Sequence, residues 1–300
     1  MSMESSEALD VAVVGGSYAG LSAALQLARA RKRVLVVDAG QRRNRFADAS
    51  HGFLGRDGEA AAVIAKQAWQ QLMAYPTVRW IDGEVVGAKP VNSAFALSMA
   101  DGRHFEAKRL VLASGVVDEL PDIDGLQARW GRTVFHCPYC HGYELARGRI
   151  GVLASGPMSM HQALMLPDWG SVTLFTRGVL NPDAAQAATL AGRGVSIEAT
   201  PVARIADTAT VELSDGRRLP KDGLFVLTRT RMANTLAAQI GCAFDEGPMG
   251  DFIRTDAFKE TTVPGVFACG DAARAAGSVA LAVGDGAMAG IGAHQSLVFR

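Results

Sequence analysis

The sequence predicts an α/β protein built from two nucleotide-binding units, and three features predict it. A glycine turn follows a β-branched run near residue 15. A second, altered turn follows another such run near residue 154. Between them Cys137 and Cys140 stand at i and i+3. A glycine turn between a buried strand and a helix is where the phosphates of a dinucleotide sit. A cysteine pair placed between two such turns points to electrons moving between a dithiol and nucleotide-borne carriers.

Bulk properties narrow the class. A chain of 300 residues predicts two domains. Apolar residues make up 49% and charged residues 20%, as in globular proteins with large cores. The net charge is zero, which calls for neither a nucleic acid nor an anionic membrane as partner. Met1 to Asp10 is polar and acidic and does not read as a signal peptide. The apolar run from Val11 to Ala28 is punctuated by Gly15, Gly16, Ser17 and Gly20, so it reads as strand, turn and helix, not as a membrane span. Four cysteines in such a chain fit a reducing, cytoplasmic setting, where a Cys-x-x-Cys is catalytic or metal-binding more often than a structural staple.

In chain order, Asp10 to Val14 reads as a buried parallel strand and Gly15 to Gly20 as the turn. Leu21, Ala24, Leu25 and Ala28 recur at helical spacing, and Arg33 to Val37 is a second strand ending at Asp38. Asp38 follows Gly20 at the spacing of about 20 residues expected of an acid that holds a ribose hydroxyl. Ser17 replaces the middle glycine, which predicts a less free approach of backbone to pyrophosphate. Residues 41 to 58 read as a loop in which Arg42, Arg43, Arg45 and His51 meet either a pyrophosphate or flavin, or only solvent. Glu59 to Met73 reads as helix and Val78 to Val86 as strand. A hairpin turning at Asp101-Gly102-Arg103 then feeds a buried strand ending in Ala113-Ser114-Gly115.

The same grammar returns downstream. Ile150 to Leu153 leads into Ala154-Ser155-Gly156-Pro157-Met158-Ser159, a short helix and the strand Val172 to Phe175. Thr210 to Leu213, the turn Asp215-Gly216-Arg217 and the strand Gly223 to Thr228 follow. Two copies of one plan predict two related domains. Val263 to Asp271 and the small-residue helix Ala280 to His294 read as a return to the first domain.

The ordered motifs, ending in Gly-Val-Phe-Ala-Cys-Gly-Asp at residues 265–271, resemble the low-molecular-weight thioredoxin reductases along nearly the whole chain. Cys-Pro-Tyr-Cys-His-Gly-Tyr-Glu at 137–144 resembles the branch containing flavin-dependent dithiol oxidases, which close disulfides of small natural products such as gliotoxin and holomycin. The resemblance implies two Rossmann-like domains: an FAD domain from segments 1–117 and 248–300, and an inserted NAD(P)-type domain, 118–247, carrying the Cys pair. It implies a homodimer, with a small-molecule dithiol or disulfide or a thioredoxin-like protein as partner. Gly15, Ser17, Gly20 and Asp38 would hold the FAD pyrophosphate and ribose, and Asp271 the ribityl chain. Tyr18, Ala19, Arg43, Asn44, His51, Val85, Ala113, Ser114, Gly115 and Gly270 would complete the cofactor contacts. Cys140 would face the flavin and Cys137 would exchange with substrate.

The residues around the pair carry their own chemistry. A helix opening at the motif would lower a thiol pKa. His141 stands where thioredoxin reductases usually carry Asp, and an imidazole titrating near neutrality serves as base or acid toward thiols. His136 and Glu144 flank it, and Glu144 is placed to orient a histidine. Haem attachment to Cys-x-x-Cys-His requires export. A glutaredoxin carries Cys-Pro-Tyr-Cys early in a small thioredoxin fold. Zinc requires more ligands than one Cys-x-x-Cys, so no metal is expected. Cys242 and Cys269 read as small core residues, with a redox role left open for Cys269 beside Asp271. The second turn has Ala154 and Ser159 at glycine positions, and its second strand ends in Phe175-Thr176-Arg177 with no acid and no arginine cluster. Binding of NAD(P)H there is doubtful, and the unit is expected to serve as a scaffold for the cysteines.

Overall fold

The computed structural model describes residues 9–300. The reading of the N-terminus as a non-signal segment lies almost wholly outside them. Strand β1 (Leu9–Val14) and β2 (Val34–Asp38) flank helix α1 (Tyr18–Arg29). Helix α2 (Ala61–Met73) leads to β3 (Val78–Asp82), β4 (Val85–Val91), β5 (Ala94–Met99) and β6 (His104–Leu112). The single strand expected over Val78 to Val86 is two strands, because Gly83 at φ +152° breaks it. β1 pairs in parallel with both β2 and β6, and β3 extends the sheet beyond β2. The first half of β6 also pairs with β5 in the antiparallel hairpin series β4–β5–β6.

β7 (Val116–Glu119) carries the chain into the second unit. There β8 (Val134–Phe135), α3 (Pro138–His141), β9 (Arg149–Leu153), α4 (Ser159–Met165), β10 (Ser171–Phe175), α5 (Ala184–Gly192) and β11 (Ser196–Glu198) follow. A small antiparallel sheet of β12 (Val202–Ala206), β13 (Thr210–Leu213) and β14 (Arg218–Leu219) precedes β15 (Gly223–Phe225). β16 (Arg229–Met232) returns the chain to the first unit, which closes with α6 (Leu236–Ile240), β17 (Phe244–Asp245), β18 (Phe252–Ile253), β19 (Val266–Ala268) and α7 (Val279–Phe299).

The two parallel sheets are the same object. The first runs β3–β2–β1–β6 with β19 beside the C-terminal half of β6, and the second runs β11–β10–β9–β15–β8. Only the outermost strand enters differently: β19 is last in its unit and β8 is first. Alternation shows that the first sheet is covered on both faces. Val11, Val13, Val34 and Val36 pack with α1 and α7 residues such as Leu27, Ala289 and Ala293. Ala12, Val14, Leu35 and Val37 pack with Phe95, Leu97, Leu236 and Ile240.

By contacts, the chain divides into residues 1–43, 61–117 and 230–300, and residues 44–60 and 118–229. Two boundaries therefore differ from the expected ones. The return falls at Thr230, not 248, because Leu236, Ala237, Ile240 and Cys242 complete the first unit's core. The loop 44–60 groups with the second unit. No helix among the described residues is long and apolar enough to cross a membrane.

α1 and α7 pack so closely that two positions of α7 leave no room for a side chain. A Cβ on Gly286 would strike the Ala19 carbonyl, one on Gly290 would strike the Ala23 carbonyl, and Ser22 Oγ donates to the Val283 carbonyl at 2.7 Å. Gly284 faces open space on the same helix. Gly290→Val is therefore expected to cost about 2–3 kcal/mol in denaturant unfolding. Gly284→Ala is expected to add about 0.5–1 kcal/mol by removing helix-interior glycine entropy.

Candidate active site

The first glycine turn is built by backbone crowding. Gly15 sits at φ +104°, and a Cβ there would collide with the Ala113 carbonyl. A Cβ on Gly20 would strike the Gly15 carbonyl. Glycine at 15 and 20 is thus a condition of the strand–helix contact. Ser17 is tolerated because its backbone is extended, at φ −87° and ψ −165°, so the expected restriction does not arise from its conformation. It caps α1 without a side-chain hydrogen bond, so the positive end of a twelve-residue helix opens onto the turn. Asp38 Oδ1 accepts from the Gly16 N–H at 2.9 Å.

The remaining expected cofactor residues separate into several kinds. Tyr18 and Ala19 are buried, and the Tyr18 hydroxyl donates to the Ala61 carbonyl at 3.0 Å, so they meet a ligand through backbone only. Val85 is 2% exposed in the core beside Leu97 and Met99, and its side chain is not available to a ligand. Ala113 is buried beneath the turn, and beyond Ser114 Gly115 at φ +70° faces open space. Gly270 at φ +69° lies against Ala19, its added Cβ 2.8 Å from that of Ala19. Asp271 accepts from Arg43 Nη1 at 2.9 Å. Asn44 and His51 lie in the loop that joins the second unit.

In the second unit, β8 pairs with β15 through Leu224↔Val134 and Phe225↔Phe135. The chain leaves its C-terminal end directly into the reactive stretch. Cys137, extended, is the N-cap of α3, with Pro138 in the first turn. Cys137 and Cys140 are joined as a disulfide, with Cα atoms 5.3 Å apart. α3 is a single turn of four residues, so its dipole contributes far less to thiolate stability than a long helix would.

His141 stacks on Phe135 with centroids 4.3 Å apart and planes at 20°. Phe135 is itself held in the core by Phe225, Ala163 and Leu166. Burial, followed by the neighbouring charges of His136 and His51, lowers the His141 pKa from 6.5 to about 4. The expectation of titration near neutrality is therefore corrected: beside an intact disulfide this ring is a neutral acceptor. His136 packs on Trp130 at 5.9 Å, and its carbonyl accepts from buried Gln162 Nε2 at 2.9 Å. Glu144 lies beside a histidine other than His141: its Oε1 is 3.3 Å from His51 Nδ1. Gln162 and the His51 pairing escaped sequence reasoning, since neither residue carries a motif linking it to residues 136–144.

The second turn is occupied by its own side chains. The Ser155 N–H donates to Ser159 Oγ at 2.9 Å, and Ser155 Oγ donates to the Leu227 carbonyl at 2.6 Å. Arg177 Nη1, at the end of β10, donates to the Ala154 carbonyl at 2.8 Å. Of the other cysteines, Cys242 is buried, with Sγ 3.5 Å from Thr261 Oγ1. Cys269 is fully buried, its thiol pushed up to about 12 by burial and then by the Asp285 charge, so it holds no thiolate at neutral pH.

Residues 9–286 match the pyridine nucleotide-disulphide oxidoreductase family. The chain belongs to that family. It is 32% identical to a thioredoxin reductase, tcpT, of Claviceps purpurea, over 99% of this chain and 96% of that one. Its fold superposes on an oxidoreductase from Agrobacterium tumefaciens with TM-score 0.95 and 57% identity, covering 97% and 99% of the two chains. It superposes on HlmI with TM-score 0.91 and 34% identity, covering 98% and 93%. The protein is thus a thioredoxin reductase-like oxidoreductase of an FAD-using family. The first turn fits that cofactor: its backbone excludes any Cβ at Gly15 and Gly20, and the open N-terminus of α1 suits a pyrophosphate.

The histidine environment makes a stability prediction. Between pH 6.5 and about 4 the unfolded chain binds a proton at His141 that the folded chain refuses. Stability should therefore fall as the pH is lowered through that window, by about 3 kcal/mol at most, with no contribution above it. Urea unfolding of His141→Asn across the same range should show a flatter profile.

Proposed function

We propose that this enzyme is a dithiol oxidase that closes a substrate disulfide through Cys137–Cys140 and FAD, with oxygen as final acceptor. The observation that carries the reading is the contrast between the two turns. In the first, Gly15 and Gly20 admit no side chain, Asp38 takes only the Gly16 N–H, and Ser17 leaves the N-terminus of the twelve-residue α1 uncapped. In the second, the Ser155 N–H, a donor that a dinucleotide pyrophosphate would use, is taken by Ser159 Oγ, and Arg177 is turned onto the Ala154 carbonyl. The second unit then serves as a mount for the cysteines, and Gln162 of α4 ties it to the reactive stretch at the His136 carbonyl.

In this reading Gly15, Ser17, Gly20 and Asp38 hold the FAD pyrophosphate and ribose, and Asp271, braced by Arg43, holds the ribityl chain. The chemistry FAD supplies when bound is two-electron exchange with a dithiol–disulfide couple and with oxygen. A substrate thiolate attacks Cys137 Sγ, forming a mixed disulfide and releasing Cys140 as a thiolate. The neutral His141 ring takes the thiol proton. The second substrate thiol, deprotonated in turn, attacks the mixed disulfide. Substrate leaves oxidised, and its two electrons and two protons remain with the cysteine pair and His141. Over the full cycle one dithiol and one O2 give one disulfide and one H2O2.

The partner is a small-molecule dithiol or a thioredoxin-like protein. The names of the curated relatives favour a second reading, in which NAD(P)H or another donor such as ferredoxin drives the same parts toward disulfide reduction. A homodimer, as the family resemblance implies, is proposed in either case.

Oxygen uptake with dithiothreitol as probe tests the first reading. The expected result is one H2O2 per dithiol, with Cys137→Ser and Cys140→Ser slower by about 1,000-fold or more. Oxygen uptake that survives both substitutions, or none with the unaltered protein, contradicts it.

A further inference from the structure

Asp285 lies in the second turn of α7 and is only 6% exposed, yet it faces two cations. Lys259 Nζ stands 2.8 Å from its Oδ1, and Arg274 Nη1 donates to Oδ1 at 2.9 Å and to Oδ2 at 3.1 Å. One cation neutralises the carboxylate. The second is an added charge drawn partly out of water, and desolvation makes such a charge costly. The two cations come from different segments. Lys259 stands in the turn between β18 and β19, which Asp256 braces by accepting from the N–H groups of Phe258 and Glu260, both at 2.9 Å. Arg274 ends the short helical turn Gly270–Ala273, in which Asp271 lies.

We propose that Arg274, seated on the Asp285 carboxylate, is a positioning residue for FAD: it closes the loop 270–278 against α7 and so fixes the Asp271 carboxylate. The inference rests on reading Asp271 as the residue that holds the ribityl chain.

The contacts define how the lock works. Asp271 Oδ2 accepts from Arg43 Nη1 at 2.9 Å. Its other oxygen lies against Gly277, where a Cβ would overlap Oδ1. The place of Gly277 therefore sets the place of the carboxylate. Arg274 holds that part of the loop from two sides: its Nε donates to the Ala276 carbonyl at 3.3 Å, and its Nη1 reaches α7 at Asp285. Ser278 then starts α7, its Oγ accepting from the Leu281 N–H at 3.3 Å. Lys259 shares the carboxylate but belongs to no part of this loop. Removing either cation leaves one cation on one carboxylate, so neither change strands a buried charge.

The test uses the full-length, flavin-loaded protein and measures how fast FAD is released on dilution, read as flavin absorbance in the filtrate. Arg274→Gln should release FAD about tenfold faster, and Arg274→Lys, which keeps a cation, should fall between it and the unaltered protein. Lys259→Gln should lower the urea midpoint yet leave release within about twofold. Equal release from the two glutamine variants would reduce the triad to a stability element and overturn the proposal. A double-variant cycle shows whether Arg274 acts through Asp271. In an Asp271→Ala background Arg274→Gln should add less than about twofold, and a full tenfold addition there would contradict the proposal. If Asp271→Ala itself releases FAD no faster than the unaltered protein, the ribityl assignment fails and this inference with it. If Asp271→Ala speeds release and Arg274→Gln does not, the assignment stands and this inference alone fails.

Discussion

The register between β8 and β15 is the constraint on which the reactive chemistry depends. Pairing Phe225 with Phe135 ends an edge strand at one defined residue, and the redox stretch starts at the next. Because Phe135 is locked among Phe225, Ala163 and Leu166, its ring is a fixed wall on which His141 stacks. The one-turn helix between them brings Cys137 and Cys140 to bonding distance. A slip of one residue would turn Phe135 to the other face of the sheet and remove that wall. The depressed basicity of His141 owes most to its burial, of which that wall is one part, with His136 and His51 adding to it.

The two units show one topology put to two uses. In the first, crowding between β1, α1 and β6 leaves room only for glycine at 15 and 20, and the helix N-terminus stays open. In the second, the corresponding backbone survives but Ser159, Ser155 and Arg177 satisfy it internally. The same helix that carries Ser159 carries Gln162, which grips the His136 carbonyl. In the proposed function this unit serves as a mount for its disulfide.

Much of this was legible in the sequence, for definite reasons. Gly15, Gly20 and Asp38 were readable because close backbone approach admits few residue types. The cysteine pair was readable because its spacing is chemically restrictive. Other features were not. Leu236, Ala237 and Ile240 show the same apolar pattern whichever core they join, so the return at Thr230 was hidden. Residues 44–60 have no hydrophobic period, and their destination is marked by a long-range pair, His51 with Glu144. Val85 looked ligand-facing by resemblance, yet its place in the strand alternation buries it. The His141 pKa depends on stacking and enclosure, which no residue identity announces.

Electrons are proposed to enter this enzyme from a dithiol and not from a nicotinamide. The most direct test is flavin absorbance of the purified protein without oxygen, after separate additions of NADPH, NADH and dithiothreitol. Bleaching by the dithiol alone is expected, with colour and peroxide returning when air is admitted. Rapid bleaching by either nicotinamide would contradict it, and would mean that a dinucleotide displaces Ser159 and Arg177 from the second turn.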